Sequence, residues 1–445
     1  MRIWASEVAA VTAGELVGPD VEIDGATQDS RSVTPGCLFV PLVAERDGHA
    51  FIAEALAAGA SAYLTHRVAS GSDGKTAIRV ADTSEALTNL GTAARRSIGV
   101  DGGRVVGITG SVGKTSTKDL LSAVLGNSGL VHASRQSFNN DIGVPLTLVG
   151  APTDVRHVVV EMGARSIGDI GRLVEVAQPD VGVLITVAAA HTEVFGSLEA
   201  VADTKGEIFD ALPPNGCAVV TADVPEALVQ ARRARCPILT FGVRGEVRAS
   251  NIQLDAALRP SFRMESPWGR TDVHLEARGA HMVTNALAAS AVGLVEGVGL
   301  DDIAAGLMDA GVSPWRMEVV EASGGCTVVN DAYNANPTSV VAALEALAAL
   351  PGSGRKIAVL GLMAELGDDS PDAHVAVAVR AASLGIDVLA VGTDLYGAEK
   401  SEIVDGVDAA RTWLTALDLG AGDAVLVKGS RVTGLEKVAE GLLKE

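Results

Sequence analysis

The chain has 445 residues, too many for one hydrophobic core, and its length predicts about three domains. Apolar residues make up 48% and charged residues 20%, the balance of an ordinary globular protein. The formal net charge of −20 argues against nonspecific nucleic-acid binding and against docking on an anionic membrane. The segment Met1-Arg2-Ile3-Trp4-Ala5-Ser6-Glu7 holds no apolar signal core, and no apolar run is long enough to span a bilayer. A soluble cytoplasmic protein is therefore expected. Cys37, Cys217, Cys236 and Cys326 are scattered with no C-x-x-C pair, which speaks against zinc and leaves disulfides unneeded at this size.

Short strand-like runs such as Cys37-Leu38-Phe39-Val40 occupy the first hundred residues, and residues 51–60 read as helical. Asp101-Gly102-Gly103 reads as a linker. The apolar run at 105–108 predicts a buried strand, followed by a glycine turn and a helical pattern from Lys118. The near-continuous apolar runs at 158–160 and 183–185 suit parallel strands covered on both faces. Residues 197–212 and 282–296 read as helices, and about 240–275 alternates apolar and polar residues as an antiparallel segment does. After a break at Gly311-Val312-Ser313-Pro314, strand and helix patterns alternate again through 327–329, 338–350, 357–360, 388–391 and 424–427. The predicted class is α/β in three domains: a small amino-terminal one (1–100), a central, mostly parallel sheet (101–312) and a carboxy-terminal open, Rossmann-like sheet (313–445).

The stretch Gly107-Ile108-Thr109-Gly110-Ser111-Val112-Gly113-Lys114-Thr115-Ser116-Thr117 carries the strongest chemical signal. A glycine loop between a strand and a helix N-terminus presents several backbone N–H groups to one anion. Lys114 adds a point charge for the outer phosphates, and the Thr115 hydroxyl can ligate Mg²⁺. A nucleoside triphosphate is the expected ligand. The common form G-x-x-x-x-G-K-[ST] is not met, because Ile108 stands where its first glycine would be.

Further polar residues follow predicted strands, where open α/β sheets hold their ligands. Glu161 closes one strand, His191 follows the next, and Lys205 lies on the helix after that. A carboxylate there can ligate Mg²⁺ or only cap a helix; a lysine can act on phosphate or only be solvated. Asn330-Asp331-Ala332-Tyr333-Asn334-Ala335-Asn336-Pro337 places Asp331 at a strand end, and equally supplies the turn and cap of a helix. Lys428-Gly429-Ser430-Arg431 can grip a carboxylate or phosphate, or form a plain glycine turn.

Taken together, these motifs resemble the Mur ligases, ATP-dependent amide-forming enzymes of peptidoglycan precursor synthesis. The short loop Thr109-Gly110-Ser111-Val112-Gly113-Lys114-Thr115-Ser116 is the family's own form of the phosphate loop, and the resemblance runs along essentially the whole chain. Asp29-Ser30-Arg31, Gly36-Cys37-Leu38-Phe39-Val40 and Asp47-Gly48-His49-Ala50-Phe51 resemble the amino-terminal domain that holds the UDP-sugar end. Ser137-Phe138-Asn139-Asn140-Asp141-Ile142-Gly143-Val144-Pro145, the Tyr333-Asn334-Ala335-Asn336-Pro337 segment and Lys428-Gly429-Ser430-Arg431 resemble the branch that adds D-alanyl-D-alanine. The resemblance implies that ATP activates UDP-N-acetylmuramoyl-tripeptide as an acyl phosphate, which the dipeptide amine attacks. It implies Glu161, His191 and Thr115 on Mg²⁺, and a carbamylated Lys205 on a second Mg²⁺.

It also implies Lys114 and residues 110–116 on ATP (Gly110, Ser111, Val112, Gly113, Thr115 and Ser116 with the lysine), Asn285 near adenine, and Arg316 and Asp331 reaching ATP on domain closure. Substrate contacts are implied for Asp29, Ser30, Arg31, Asn139 and Asn140, and for Tyr333, Asn334, Asn336, Lys428, Ser430 and Arg431. Four positions depart from the family's usual residues: Thr221, Met282, Leu362, and Trp315, which stands where glycine is usual before Arg316. A monomer is expected, with hinges near residues 101 and 312. The rival expectations are a sister amide ligase of the family, a related ligase of folate or polyamino-acid metabolism, and a nucleotide-regulated binding protein without catalysis.

Overall fold

In the computed structural model, which describes residues 1–67, 74–135, 138–188 and 195–444, each part of the chain builds its own principal sheet. The first has five strands in the order Glu15–Val17, Thr76–Arg79, Ala62–Thr65, Leu38–Phe39 and Ala26–Thr27, parallel except for the first pair. Helix Thr83–Val100 then leads toward the central part. Asp82 caps it, Oδ1 accepting from the N–H groups of Ser84 at 2.7 Å and Glu85 at 2.9 Å. Its face of Leu87, Leu90, Ala94 and Ile98 shares one core with Val144 and Leu148 of helix Gly143–Val149. The contact is close: a Cβ on Gly91 would stand 2.7 Å from the Cβ of Pro145. The first and second parts are therefore packed together through a continuous apolar core.

The central sheet is six-stranded and entirely parallel, in the order Ile238–Phe241, Cys217–Thr221, Val181–Leu184, Arg104–Thr109, His157–Glu161 and Val131–Ala133. Its middle strands are buried throughout, which explains their unbroken valine-rich runs. Chain order reverses at Arg104–Thr109, so the crevice beyond that strand's carboxyl end is the topological switch point. Helices Lys114–Gly126, Met282–Val295 and Leu300–Asp309 cover one face, together with the antiparallel meander Arg248–Leu254, Pro260–Ser266 and Gly269–His274. That meander lies within the stretch whose alternation predicted antiparallel structure.

The third sheet also has six strands, in the order Glu318–Glu321, Thr327–Asn330, Ala424–Lys428, Lys356–Leu360, Asp387–Val391 and Glu402–Val404. Only the Glu318–Glu321 edge is antiparallel. The register sets Asn330 beside Val427 and Leu360 beside Lys428, bringing the loops after these strands together.

The predicted start of the phosphate-loop helix moves. The helix expected from Lys118 begins at Lys114. The loop's own Lys-Thr-Ser-Thr run forms the first turn, with Gly113 at the cap in the left-handed region (φ +88°).

Candidate active site

The site begins with that first turn. A Cβ at position 113 would stand 2.5 Å from Oδ1 of Asn285, so glycine is required both by conformation and by space. Ser111 pins the loop to the segment after Val181–Leu184: its N–H donates to the Thr186 carbonyl at 3.0 Å and its hydroxyl to the Ala188 carbonyl at 3.0 Å. Lys114 folds back so that Nζ donates to the Gly110 carbonyl at 2.7 Å. Burial pushes its amine below the ordinary lysine range, the Glu161 charge opposes that, and the Arg316 charge adds to it.

Glu161 ends the neighbouring strand and is 1% exposed. Its Oε2 accepts from the Thr115 hydroxyl at 2.8 Å, and Oε1 accepts from Nδ2 of Asn139 at 2.9 Å. A buried carboxylate and a hydroxyl side by side, next to an anion-binding loop, form an oxygen donor set suited to a hard divalent cation such as Mg²⁺. His191 lies outside the described residues.

Lys205 sits on helix Leu198–Gly206, capped by Ser197, and is 2% exposed; it is not on a solvated face. Burial lowers its amine to about 7, with the Lys114 charge contributing. Desolvation disfavours the ammonium because it removes water without supplying an opposite charge.

The third part of the chain closes the other side. Lys428 is 2% exposed and its Nζ donates to Oδ2 of Asp331 at 2.6 Å and to the Asn334 carbonyl at 2.8 Å. Oδ1 of Asp331 accepts from the Met317 N–H at 3.2 Å. The Arg316 guanidinium lies 4.2 Å from the centre of the Tyr333 ring, and its buried Nε has no hydrogen-bond partner among the described residues. A buried, unmatched guanidinium donor facing a phosphate-binding loop calls for an anion. Asn336 caps helix Pro337–Ala349, accepting from the Ser339 N–H at 2.9 Å. The turn-and-cap reading of this segment and its place at the site therefore hold together.

Apart from Lys205, which is not part of its lining, these groups converge on one cleft of about 350 Å³. It is lined by residues 111–116, Asn139, Glu161, Asn285, Arg316, Asp331, Tyr333, Asn334, Asn336 and Lys428, with Thr186, His281 and Thr284 among others. Several expected substrate residues stand elsewhere. Ser430 is buried as a brace, its hydroxyl accepting from the Ala364 N–H at 2.9 Å and donating to the Ala335 carbonyl at 3.4 Å. Arg431 stacks on Trp315 outside the cleft lining. Asn140 ties down the segment ahead of helix Gly143–Val149, its Oδ1 accepting from the Gly143 N–H at 3.0 Å. Asp29 accepts from Nε and Nη2 of Arg31 at 2.9 and 2.8 Å, beside Ser30. Asp29 also borders a second groove of about 850 Å³, between the first and central parts, with His132, Arg135 and Phe138 on its other wall.

Comparison with known proteins matches this arrangement. The family model of the Mur ligase middle domain matches residues 108–293, and that of the Mur ligase glutamate ligase domain matches residues 315–431. The chain belongs to the Mur ligase family. The Escherichia coli K12 UDP-N-acetylmuramoyl-tripeptide–D-alanyl-D-alanine ligase is 37% identical to this Mur ligase, covering 99% of this chain and 98% of the relative. The crystal structure of MurF from Acinetobacter baumannii matches it with a TM-score of 0.90 at 31% identity, covering 100% of this chain and 99% of that one. The MurF ligase of Thermotoga maritima in complex with ADP matches with a TM-score of 0.81 at 31% identity, covering 95% and 97%.

Some cleft residues of this Mur ligase carry little signal in the sequence. His281, Thr186 and Met317 line the cleft but form no motif with their neighbours, and Thr284 lines it beside Asn285. His281 was readable only as the residue ahead of helix Met282–Val295. Burial lowers its imidazole pKa, Asp331 opposes that and Lys428 reinforces it.

Proposed function

We propose that this Mur ligase joins D-alanyl-D-alanine to UDP-N-acetylmuramoyl-tripeptide at the expense of ATP, giving the UDP-linked pentapeptide for peptidoglycan synthesis. The observation that carries this reading is the shared cleft. The phosphate loop and Glu161 of the central part face Arg316, Asp331 and Lys428 of the third part across it. The kinship with curated ligases of that name over nearly the full chain supports the choice of substrates. The reading divides the chain into a UDP-sugar domain (1–100), an ATP domain (101–312) and a ligase domain (313–445), acting as a monomer in the cytoplasm. No described helix is long and apolar enough to cross a membrane.

The chemistry follows from the charges. A carboxylate is a poor acyl donor because its oxygen leaves badly, and phosphorylation supplies a leaving group. Substrate carboxylate and γ-phosphate repel each other, and Lys114 and Arg316 offset that repulsion from opposite sides of the cleft. Thr115 and Glu161 would hold Mg²⁺, with His191 and a carbamylated Lys205 completing two metal sites; bound there, the ions neutralise charge developing on the transferred phosphoryl group. Lys205 suits carbamylation because a pKa of about 7 leaves much of the amine uncharged at neutral pH. The free amine adds to carbon dioxide and gives up a proton, so an anion replaces a buried cation. The dipeptide amine then attacks the acyl phosphate carbonyl, and the tetrahedral adduct expels phosphate to leave the amide.

The test is ADP release by the full chain with Mg²⁺, ATP and the UDP-tripeptide, with and without the dipeptide. Sustained release that requires the dipeptide supports the reading. Release independent of it, or none at all, overturns it. Small-angle scattering with and without nucleotide and substrate tests the hinges near 101 and 312; an unchanged envelope counts against them.

A further inference from the structure

We infer that Arg431 is a positioning residue for Arg316, acting through a stack on Trp315 and not by touching substrate. The inference rests on the reading that Arg316 serves ATP in the cleft.

The connector between the second and third parts is bent in an unusual way. Trp315 has φ +60° and Met317 has φ +52°, so two bulky residues in the left-handed region flank Arg316. A side chain with a Cβ adopts that region only when its surroundings hold it there. Four contacts supply the hold. Upstream, Oδ2 of Asp119, on the phosphate-loop helix, accepts from the Ser313 N–H at 2.8 Å. Downstream, Oδ1 of Asp331 accepts from the Met317 N–H, and Met317 itself is buried in the core of the third part. In between, the Arg431 guanidinium lies 4.3 Å from the centre of the Trp315 ring, with the Glu436 carboxylate 3.4 Å from its Nη1. The Trp315 carbonyl also accepts from the Tyr333 N–H at 3.3 Å, and the Tyr333 ring carries Arg316.

This arrangement gives the four-residue turn Lys428-Gly429-Ser430-Arg431 a divided task. Lys428 enters the cleft and Ser430 braces two loops, whereas Arg431 reaches the outer side of the connector. Glycine at position 315 would take a positive φ without steric penalty and would need no such clamp. In this chain the tryptophan brings both the strain and the ring on which Arg431 stacks. The two bends turn the backbone so that the Arg316 side chain enters the cleft while Trp315 lies outside its lining and Met317 packs into the core of the third part. Loss of the stack frees residue 315 to relax toward negative φ, which swings Arg316 away from the loop.

A double-mutant cycle tests this: Arg431→Ala, Trp315→Gly and the double variant, with Arg431→Lys as the conservative change. The readouts are calorimetric affinity for a non-hydrolysable ATP analogue with Mg²⁺, and KM and kcat for each substrate. Arg431→Ala is expected to weaken nucleotide binding and raise KM for ATP about two- to fivefold, the range an exposed cation–π contact supports. KM for dipeptide should stay unchanged. Arg431→Lys should recover part of the loss, and Trp315→Gly should make Arg431→Ala silent. Equal losses from Arg431→Ala in both backgrounds, or a shift confined to KM for dipeptide, overturn the inference in favour of direct substrate contact. If wild-type protein binds the analogue but shows no dipeptide-dependent turnover, the proposed function fails while the cycle, read by binding alone, still decides this point.

Discussion

Replacing Lys205 with methionine is expected to stabilise the protein at neutral pH while abolishing turnover. Burial, with help from the Lys114 charge, lowers the Lys205 amine from 10.5 to about 7. At about 1.4 kcal/mol per pH unit, that depression corresponds to about 5 kcal/mol of folding free energy as an upper bound. The sign follows from proton counting. Between those two pH values the unfolded chain binds a proton that the folded chain does not, so stability rises with pH. Below about pH 7 both states hold the proton and the full penalty applies; above pH 10.5 it is gone. Methionine has a similar unbranched shape and no charge, and exchanging buried ions for packed apolar groups stabilises proteins by about 1–4 kcal/mol. Calorimetric melting of both proteins in carbon-dioxide-free buffer at pH 7 and pH 10 checks this, since titrations not coupled to Lys205 cancel in the difference. A variant that melts lower at pH 7, or whose advantage does not shrink at pH 10, would refute the reasoning.

Lys114→Ala should reduce ligase turnover by at least about 10³-fold, because a preorganised charge in a dry site is worth several kcal/mol to the transition state; near-normal rates with an unchanged circular dichroism spectrum would remove the phosphate-loop assignment. Glu161→Gln should lower kcat and shift the Mg²⁺ titration to higher concentration, a shift absent if the carboxylate only orders Thr115 and Asn139. Gly113→Ala forces a Cβ against Asn285 at a positive φ, so nucleotide affinity should fall sharply and stability by about 1–3 kcal/mol; equilibrium binding and melting read the two effects separately. Asp331→Asn removes the counter-charge of the buried Lys428 ammonium and leaves it neutral acceptors such as the Asn334 and Asp331 backbone carbonyls, so denaturant titration should show a loss of about 3 kcal/mol.

Where local chemistry dictates the answer, residues alone were enough to read it. The Gly110–Lys114–Thr115 pattern states its ligand because a helix N-terminus with a glycine entry has one common use. The valine runs at 158–160 and 183–185 announce buried parallel strands because only a doubly covered strand can be apolar on both sides. Lys205 was less legible: on a helix its spacing says nothing of burial, and its lowered pKa arises from packing that places it in reach of the Lys114 field. His281 and Thr186 carry no pattern at all and reach the cleft only because separate elements end there.

The clearest division falls within one tetrapeptide. Lys428, Ser430 and Arg431 read as a single anion grip, since adjacent residues after a strand share a location. The fold separates them: strand register carries Lys428 inward to Asp331, while the turn sends Arg431 outward to Trp315. By itself the sequence determined the α/β class, the triphosphate loop and the family resemblance, because these depend on short-range backbone geometry and apolar periodicity. Only the tertiary structure decided which polar side chains share a cleft, which merely brace it, and which charges are stripped of water. Those outcomes depend on contacts between residues far apart in the chain.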